Sequence, residues 1–262
     1  IPQLLKSLGA EVDELDCAPN GAFTRELEPL PENLGALSQR VRERGADFGV
    51  ALDPDADRAA FVDQQGVPLG EEYTVALGTS VVLEKHAGPV VTNLSTSRIL
   101  DAVCARFGAP LYRTAVGEAH VVAALRSRGA VAGGEGNGGM ILPAAHYGRD
   151  GLVAVALVAN LLATHGGTLR DAANRLPRLH MIKARWKRQG GDWNASAKRL
   201  REAFADMMLD ETDGLHFSRG DAWVHVRTSG TEPVVRAIAE SPDEQLTRSL
   251  VERAGRALGE GV

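Results

Sequence analysis

The sequence predicts an α/β protein made of two α/β units with mixed, mainly parallel sheets, followed by a C-terminal α+β domain. Segments with helical apolar spacing alternate with short runs rich in β-forming residues. A Gly-Ala dipeptide stands at four predicted helix ends, beginning at Gly9, Gly45, Gly108 and Gly129. Glycine is favoured there because many helices end on a residue in the left-handed conformation. Helices that alternate with strands favour parallel sheets covered by helices.

Three domains are predicted, at residues 1–76, 77–177 and 178–262. The first has a predicted helix at ENLGALSQRVRER, predicted strands at EVDEL and DFGVAL, and a turn at Gln64–Gly66 between two strands. The second has predicted strands at PVVTNL, PLYRT and VAGG, and predicted helices at Thr96–Phe107 and Gly151–Thr164. Each of these two domains therefore alternates helix and strand.

The third domain has a different order of elements. It begins with the alternating run MIKARWKRQ, followed by a predicted helix at Ala195–Met207, two strands on either side of RTSGTEP, and a helix at Glu244–Leu258. Strands and helices that are grouped rather than alternating are typical of an α+β domain.

Composition and charge argue against several classes of partner. The net charge is −5 and no block of Lys and Arg is present, so we expect no nucleic-acid or membrane-surface partner. The longest apolar stretch, Gly151–Ala163, is too short to span a bilayer. Cys17 and Cys104 are too few for a disulfide framework, which favours a cytoplasmic location. The first residues include neither Met nor a signal sequence, so we expect the chain to begin inside a domain.

The first loop with candidate chemistry is Asp53–Arg58, directly after a predicted strand. Its alternating Asp53, Asp55 and Asp57 can converge on one hard cation, and Mg²⁺ prefers such oxygen ligands. Arg58 can neutralise or orient a phosphate beside that cation. Two alternatives stay open: a phosphatase in which the first aspartate is the nucleophile, and a solvated acidic turn. An EF-hand is excluded because Arg58 and Gln64 stand where that loop needs Gly and Glu.

The second loop, Gly133–Gly139, contains five glycines in seven residues. Glycines let the backbone approach a ligand closely, which leaves Glu135 and Asn137 as the side chains able to hydrogen-bond sugar hydroxyls. The spacing is not that of a nucleotide-binding loop. A plain flexible turn is the alternative.

The third loop, Arg227–Pro233, lies between two predicted strands. Its hydroxyl groups and backbone N–H groups around a glycine can form an anion-binding nest, and Arg227 and Arg236 supply positive charge. A phosphate monoester fits such a nest. An ordinary hairpin turn is the alternative, although such a turn does not require the flanking arginines.

In this order, DPDADR, GEGNGG and RTSGTEP resemble the metal-binding, sugar-binding and phosphate-binding loops of the α-D-phosphohexomutase family. The resemblance extends over essentially the whole chain and implies the last three of four domains around a central cleft. It implies Mg²⁺ at Asp53, Asp55 and Asp57, with Arg58 facing the reacting phosphate. The substrate-binding residues that it implies are Glu135, Asn137, Arg227, Ser229, Gly230, Thr231 and Arg236.

The resemblance also implies an activity, the interconversion of hexose or hexosamine 6-phosphate and 1-phosphate through a phosphoserine and a bisphosphorylated sugar. We expect the phosphoserine to come from an N-terminal domain of the same protein that is absent from these residues, so that this chain alone is inactive. GEGNGG and the acid in Val116-Gly117-Glu118 favour glucosamine phosphate. A phosphosugar-binding fragment without catalysis and an aspartate-dependent phosphatase remain alternatives, and a homodimer stays open.

Overall fold

The computed structural model describes residues 1–18, 20–21, 24–187, 193–230 and 232–259. The chain divides into two compact units, Ile1–Arg113 with Gly117–Pro177, and Thr114–Val116 with Arg178–Val262. The predicted α/β class with mixed sheets is confirmed. The three-domain division stays a prediction.

The first unit alternates helices and strands. Its described helices are α1 (Pro2–Ser7), α2 (Gly35–Arg44), α3 (Glu72–Lys85), α4 (Ile99–Arg106), α5 (Glu118–Arg128), α6 (Gly151–His165) and α7 (Leu169–Asn174). Its described strands are β1 (Phe48–Leu52), β2 (Ala59–Asp63), β3 (Val90–Asn93), β4 (Leu111–Thr114), β5 (Ala132–Glu135) and β6 (Gly139–Ile141). The predicted left-handed helix ends are present at Gly45 and Gly129, with φ of 62° and 58°.

Two sheets organise the first unit. Strands β1 and β2 form an antiparallel pair, with Leu52 opposite Ala59 next to the connecting loop. The second sheet has the order β4-β3-β5-β6, in which β3 and β5 are parallel and β5 and β6 are antiparallel. Antiparallel pairing therefore has a larger part than the sequence predicted, because the chain folds straight back after β1 and after β5.

The predicted strand EVDEL is wrong: residues 11–15 have no strand. The acidic side chains of this segment pair instead with cations on the flanking helices. Asp13 lies 2.9 Å from Arg44 of α2, and Glu14 lies 2.6 Å from Lys6 of α1. Acidic residues are depleted in strands, and here three of five residues are acidic.

Small apolar cores hold the loops of the first unit in place. One core joins β3, β6 and α5 through Val91, Ile141, Val121 and Leu125, all fully buried. A second joins α2 to β2 through Leu34, Val41, Ala60 and Val62. Strand β2 follows the acidic loop and strand β6 follows the glycine-rich loop, so apolar burial of these strands helps to set the position of both loops.

In its described residues, the second unit is an antiparallel sheet with two helices. Its strands are β7 (His180–Lys187), β8 (Met208–Asp210), β9 (Leu215–Arg219), β10 (Ala222–Thr228) and β11 (Val234–Ser241), and its helices are α8 (Trp193–Ala203) and α9 (Glu244–Leu258). The sheet order is β7-β11-β10-β9-β8. Buried residues of β9, β10 and β11 form one core with α8 and α9. Helix α9 has the predicted bounds.

Among the described helices, none combines the length and the apolar character that crossing a bilayer requires.

Candidate functional site

The acidic loop connects the antiparallel strands β1 and β2. Carboxylate oxygens of Asp53, Asp55 and Asp57 lie within 4.8 Å of one another. The turn is held by the backbone N–H of Ala56, which donates to the carbonyl of Asp53 at 3.1 Å. Ala56 has a φ of 60°, in the left-handed region that residues other than glycine seldom adopt. The backbone of this loop therefore brings three acids to one point.

Arg58 holds the first of these acids in its charged form. The carboxylate of Asp53 is buried and accepts hydrogen bonds from the Arg58 side chain at 2.5 Å and from the Arg58 backbone at 3.1 Å. Burial acts to raise the pKa of Asp53, but the hydrogen bonds and positive charge of Arg58 outweigh it and lower the pKa. Arg58, which was predicted to be catalytic, is thus an ionic partner of an acid in the same loop.

The pKa of Asp57 is shifted in the opposite direction to that of Asp53. Burial raises its pKa to about 6, against the nearby positive charge of Arg149 and with added repulsion from Asp53 and Asp55. Its Oδ2 pairs with the Arg149 guanidinium, whereas its Oδ1 is buried without a hydrogen-bond partner, 3.5 Å from the Nε of Arg58. Clustered carboxylate oxygens and a buried acceptor without a hydrogen bond are suited to a hard cation such as Mg²⁺. The residues present fit that metal.

The glycine-rich loop connects β5 and β6, and its glutamate is enclosed. Glu135 is 4% exposed. Its Oε1 accepts hydrogen bonds from the Asn93 side chain at 2.8 Å and the Gly117 backbone at 3.0 Å, and its Oε2 pairs with Arg149 at 3.0 Å. Asn137 is half-buried and accepts from the Gly139 backbone at 3.2 Å. The predicted sugar contacts of Glu135 and Asn137 stay a prediction.

The acidic loop Asp53–Arg58 and the glycine-rich loop Gly133–Gly139, called the metal loop and the sugar loop after their predicted ligands, are joined directly. The backbone N–H of Ala59 donates to the carbonyl of Gly138 at 3.2 Å, and the N–H of Gly151 donates to the carbonyl of Ala56 at 2.9 Å. The guanidinium of Arg149 contacts both Asp57 and Glu135. The first unit therefore places two of the three predicted loops side by side.

Several residues that organise these loops were missed from the sequence. Thr92 donates to the carbonyl of Gly134 at 2.8 Å, and Thr96 accepts from the backbone of Gly136 at 3.1 Å. Thr92 and Asn93 are the last two residues of β3, and Thr96 lies three residues after the strand. Arg149 was missed as well. Its only signal in the sequence was that the acids of the two loops require a nearby cation.

The loop predicted to bind phosphate, Arg227–Pro233, is called the phosphate loop and connects β10 and β11 in the second unit. Arg227 and Arg236 are direct cross-strand partners. Arg227 donates to the carbonyl of Thr228 at 3.1 Å and lies 3.7 Å from Asp213, and Arg236 pairs with Glu232 at 2.5 Å. Like charges directly opposite one another are unfavourable, and an anion between them relieves the repulsion.

The turn itself is open. The backbone N–H of Ser229 donates to the carbonyl of Val234 at 2.9 Å, and the Ser229 hydroxyl accepts from the backbone of Glu232 at 3.3 Å. A Cβ added to Gly230 meets nothing within 4 Å. Thr231, predicted to bind phosphate, lies outside the described residues. Ser229 and Gly230 thus stand where a small anion can reach them.

Comparison with known proteins identifies relatives along the chain. Three family models match: phosphoglucomutase/phosphomannomutase alpha/beta/alpha domain II at residues 1–66, domain III at residues 70–179 and the C-terminal domain at residues 181–256. A phosphoglucomutase/phosphomannomutase of Thermococcus kodakarensis is 36% identical over 100% of this chain and 58% of its own length. A protein of Methanopyrus kandleri named "Probable phosphoglucosamine mutase" is 38% identical over 95% of this chain and 56% of its own length.

Solved structures agree with these matches. A phosphoglucomutase/phosphomannomutase family protein from Burkholderia thailandensis has a TM-score of 0.84 and 25% identity, covering 98% of this chain and 56% of that structure. An N-acetylphosphoglucosamine mutase of Aspergillus fumigatus, solved with GlcNAc-6P and magnesium, shares the fold with a TM-score of 0.61 and 18% identity, covering 80% of this chain and 48% of that structure. The chain spans a little over half the length of the curated relatives it matches.

Proposed function

This chain belongs to the phosphoglucomutase/phosphomannomutase family, and we propose that it carries the metal-binding, sugar-binding and phosphate-binding parts of a phosphohexomutase. The proposed reaction interconverts the 6-phosphate and 1-phosphate of a hexose or hexosamine through a phosphoserine and a bisphosphorylated intermediate. The observation that carries this proposal is the cluster of three aspartates within 4.8 Å, joined directly to a glycine-rich loop.

Asp53, Asp55 and Asp57 are proposed to hold Mg²⁺, which supplies positive charge to the oxygens of the phosphoryl group being transferred. Arg58 keeps Asp53 ionised, so that this acid remains an acceptor for the cation. Phosphoryl transfer depends mainly on positioning and on charge stabilisation. A rigid acidic loop beside a sugar loop supplies both conditions.

The phosphate loop is proposed to hold the phosphate that does not react. Arg227 and Arg236 lie opposite each other and supply charge, while Ser229, Gly230 and Thr231 supply hydroxyl and backbone N–H donors. The sugar is proposed to contact Glu135 and Asn137 in two orientations, one for each phosphate transfer. A small polar pair suits that task better than a pocket shaped to one orientation.

Glucosamine phosphate is the proposed substrate. The GEGNGG loop and Glu118 favour it. The name of the Methanopyrus relative is consistent with it. We propose a cytoplasmic protein, since the substrates of such a reaction are charged metabolites.

A substrate panel on the full-length protein tests this function. With Mg²⁺ and a bisphosphate primer, we expect conversion of glucosamine 6-phosphate to the 1-phosphate, faster than that of mannose or glucose phosphates. Asp55→Asn should abolish turnover without loss of folding, because Asp55 is exposed. Asp47→Asn, on an exposed acid just before β1, is the matched control. No mutase activity toward any of these sugars would refute the assignment.

The anion site is tested on this chain by calorimetry. Arg227→Ala should weaken binding of a hexosamine phosphate by about tenfold, the loss of one charge-assisted contact. Arg248→Ala removes an exposed arginine of α9, paired with Glu244 at 3.4 Å, and should leave the affinity unchanged. Equal losses in the two variants would indicate nonspecific electrostatics. Phosphate release by this chain alone with Mg²⁺ would favour the aspartate-nucleophile phosphatase.

A further inference from the structure

The side chain of Arg149 lies among three carboxylates from different segments of the first unit. Its guanidinium pairs with Asp57 of the metal loop and with Glu135 of the sugar loop at 3.0 Å, and lies 3.6 Å from Glu118. The side chain is 20% exposed. Arg149 lies in the segment between β6 and α6, and its single positive charge therefore neutralises acids of both loops.

The position of Arg149 is set by the backbone around it. Its own N–H donates to Glu118 at 2.8 Å, and the N–H of Asp150 donates to the carbonyl of Met140 at 2.9 Å. Gly139 makes room for it, because a Cβ there would collide with the Arg149 side chain. The last glycine of GEGNGG thus allows an arginine to lie against the sugar loop.

The pairing with Asp57 is incomplete. The Nε of Arg149 and the Oδ1 of Asp57 are both buried without a hydrogen-bond partner. Each has only a longer ionic contact, of Nε with Glu118 at 3.6 Å and of Oδ1 with the Nε of Arg58 at 3.5 Å. Buried polar atoms are normally hydrogen-bonded, so this pairing is suited to exchange partners. Besides the two arginines, Asp57 has a further candidate partner, the cation that the three aspartates fit.

We propose that Arg149 is a positioning residue that couples the metal site to the sugar loop. Without the metal its guanidinium pairs with both Asp57 and Glu135, and it is left to pair with Glu135 when Mg²⁺ takes Asp57. A guanidinium and a divalent cation compete for the same carboxylate, and each repels the other. Metal binding thereby changes the charge balance at Glu135. This inference rests on the proposed metal site.

Calorimetric Mg²⁺ titration of this chain tests the competition. Arg149→Gln removes the competing charge and should tighten Mg²⁺ binding by about tenfold, within the usual range of coupling between sites. Arg126→Gln removes an exposed arginine that stacks on Tyr147, and is the matched control for net charge. It should leave the affinity unchanged. Unchanged or weaker binding in Arg149→Gln would overturn the proposal, since a merely structural role predicts that result.

A double-mutant cycle tests the coupling to the sugar loop. Glu135→Gln should weaken Mg²⁺ binding by about threefold when Arg149 is present, because the guanidinium then pairs more fully with Asp57. The same change should have no effect in the Arg149→Gln background. Arg149→Lys keeps the positive charge but replaces the forked guanidinium with a single ammonium group. We expect this variant to bind Mg²⁺ with near wild-type affinity, and Glu135→Gln to leave that affinity unchanged. Additive effects in the cycle would overturn the coupling.

The same titrations distinguish an error in the proposed Mg²⁺ site from an error in the proposed role of Arg149. If the wild-type chain binds no Mg²⁺, or if Asp55→Asn leaves binding intact, the proposed metal site is wrong and the inference falls with it. If Asp55→Asn removes binding while the Arg149 variants behave as the control, only the role of Arg149 is wrong. Should Arg149→Gln not fold, as judged by circular dichroism, the cycle with Arg149→Lys decides.

Discussion

The sugar loop of the first unit and the phosphate loop of the second differ in how completely the protein surrounds them. In the sugar loop, Glu135 is 4% exposed and both of its oxygens accept from protein donors. In the phosphate loop, Glu232 is 46% exposed and pairs with Arg236, four residues later in the sequence. Both loops connect antiparallel strands and both contain glycine, yet one is enclosed and the other is open.

Glycines and charged residues have different roles in the two loops. In the sugar loop, the glycines allow close packing of protein against protein, and the charges neutralise one another. In the phosphate loop, a Cβ added to Gly230 would meet nothing within 4 Å, and of the two cross-strand arginines Arg236 is exposed and Arg227 is partly buried. The first arrangement makes a rigid support, and the second leaves space for an anion.

The largest expected difference between the two loops is in the free energy of unfolding lost when their glutamates, Glu135 and Glu232, are replaced. Glu135→Ala removes the acceptor for Asn93 and for the backbone of Gly117, and leaves Arg149 without one of its acids, so we expect a loss of about 3 kcal/mol in the free energy of unfolding. Glu232→Ala removes an exposed ion pair and should cost less than about 0.5 kcal/mol. Urea titration measures both. Similar losses in the two variants would contradict the contrast between the loops.

The next largest difference is in the stability cost of placing alanine at Gly138 in the sugar loop and at Gly230 in the phosphate loop. Gly138 has a φ of 94°, and an added Cβ would lie 2.6 Å from the carbonyl oxygen of Ala59. Gly138→Ala should therefore cost about 2 kcal/mol, from backbone strain and overpacking. Gly230→Ala should change the free energy of unfolding by less than about 0.5 kcal/mol. Tolerance of alanine at Gly138 would show that the sugar loop is less enclosed than the structure indicates.

The smallest effect concerns the acids that cap a helix in each unit. Asp150 accepts from the backbone of Leu152 and Val153 and pairs with His146 at 2.8 Å. Burial acts to raise the pKa of Asp150, but these hydrogen bonds outweigh it and lower the pKa below 3.8. The stabilisation is therefore present above pH 3.8 and is lost as the pH falls through the lowered pKa.

Asp150→Asn should lower the free energy of unfolding by about 1 kcal/mol at pH 7. Below the lowered pKa of Asp150 it should have no effect, because the wild-type carboxyl is then protonated as well. The matched control is Asp243→Asn at the cap of α9, where the described contacts of the carboxylate are two backbone N–H groups. It should cost less, because asparagine is an equally good cap. Urea titrations at several pH values measure both variants. A pH-independent loss in Asp150→Asn would refute the ionic contribution.

Most of the fold could be predicted because its signals are local. Helix α9 follows its apolar period and its capping aspartate, and the predicted helix ends at Gly45 and Gly129 follow from glycine. EVDEL was predicted wrongly because alternation alone does not show whether a strand has a partner. Its acids pair with Lys6 and Arg44 on neighbouring helices, and that choice is made by tertiary packing.

The sequence by itself determined the chemistry of the candidate site. Three alternating aspartates, a glycine-rich loop with one acid and one amide, and a turn flanked by arginines define their donors and acceptors by residue type and spacing alone. Only the tertiary structure decided how those groups are paired. Arg149 stands 92 positions after Asp57 and 14 after Glu135, and meets both because β2, β6 and the start of α6 converge. Ionic and hydrogen-bonded partners depend on distance in space, which residue type and spacing do not encode.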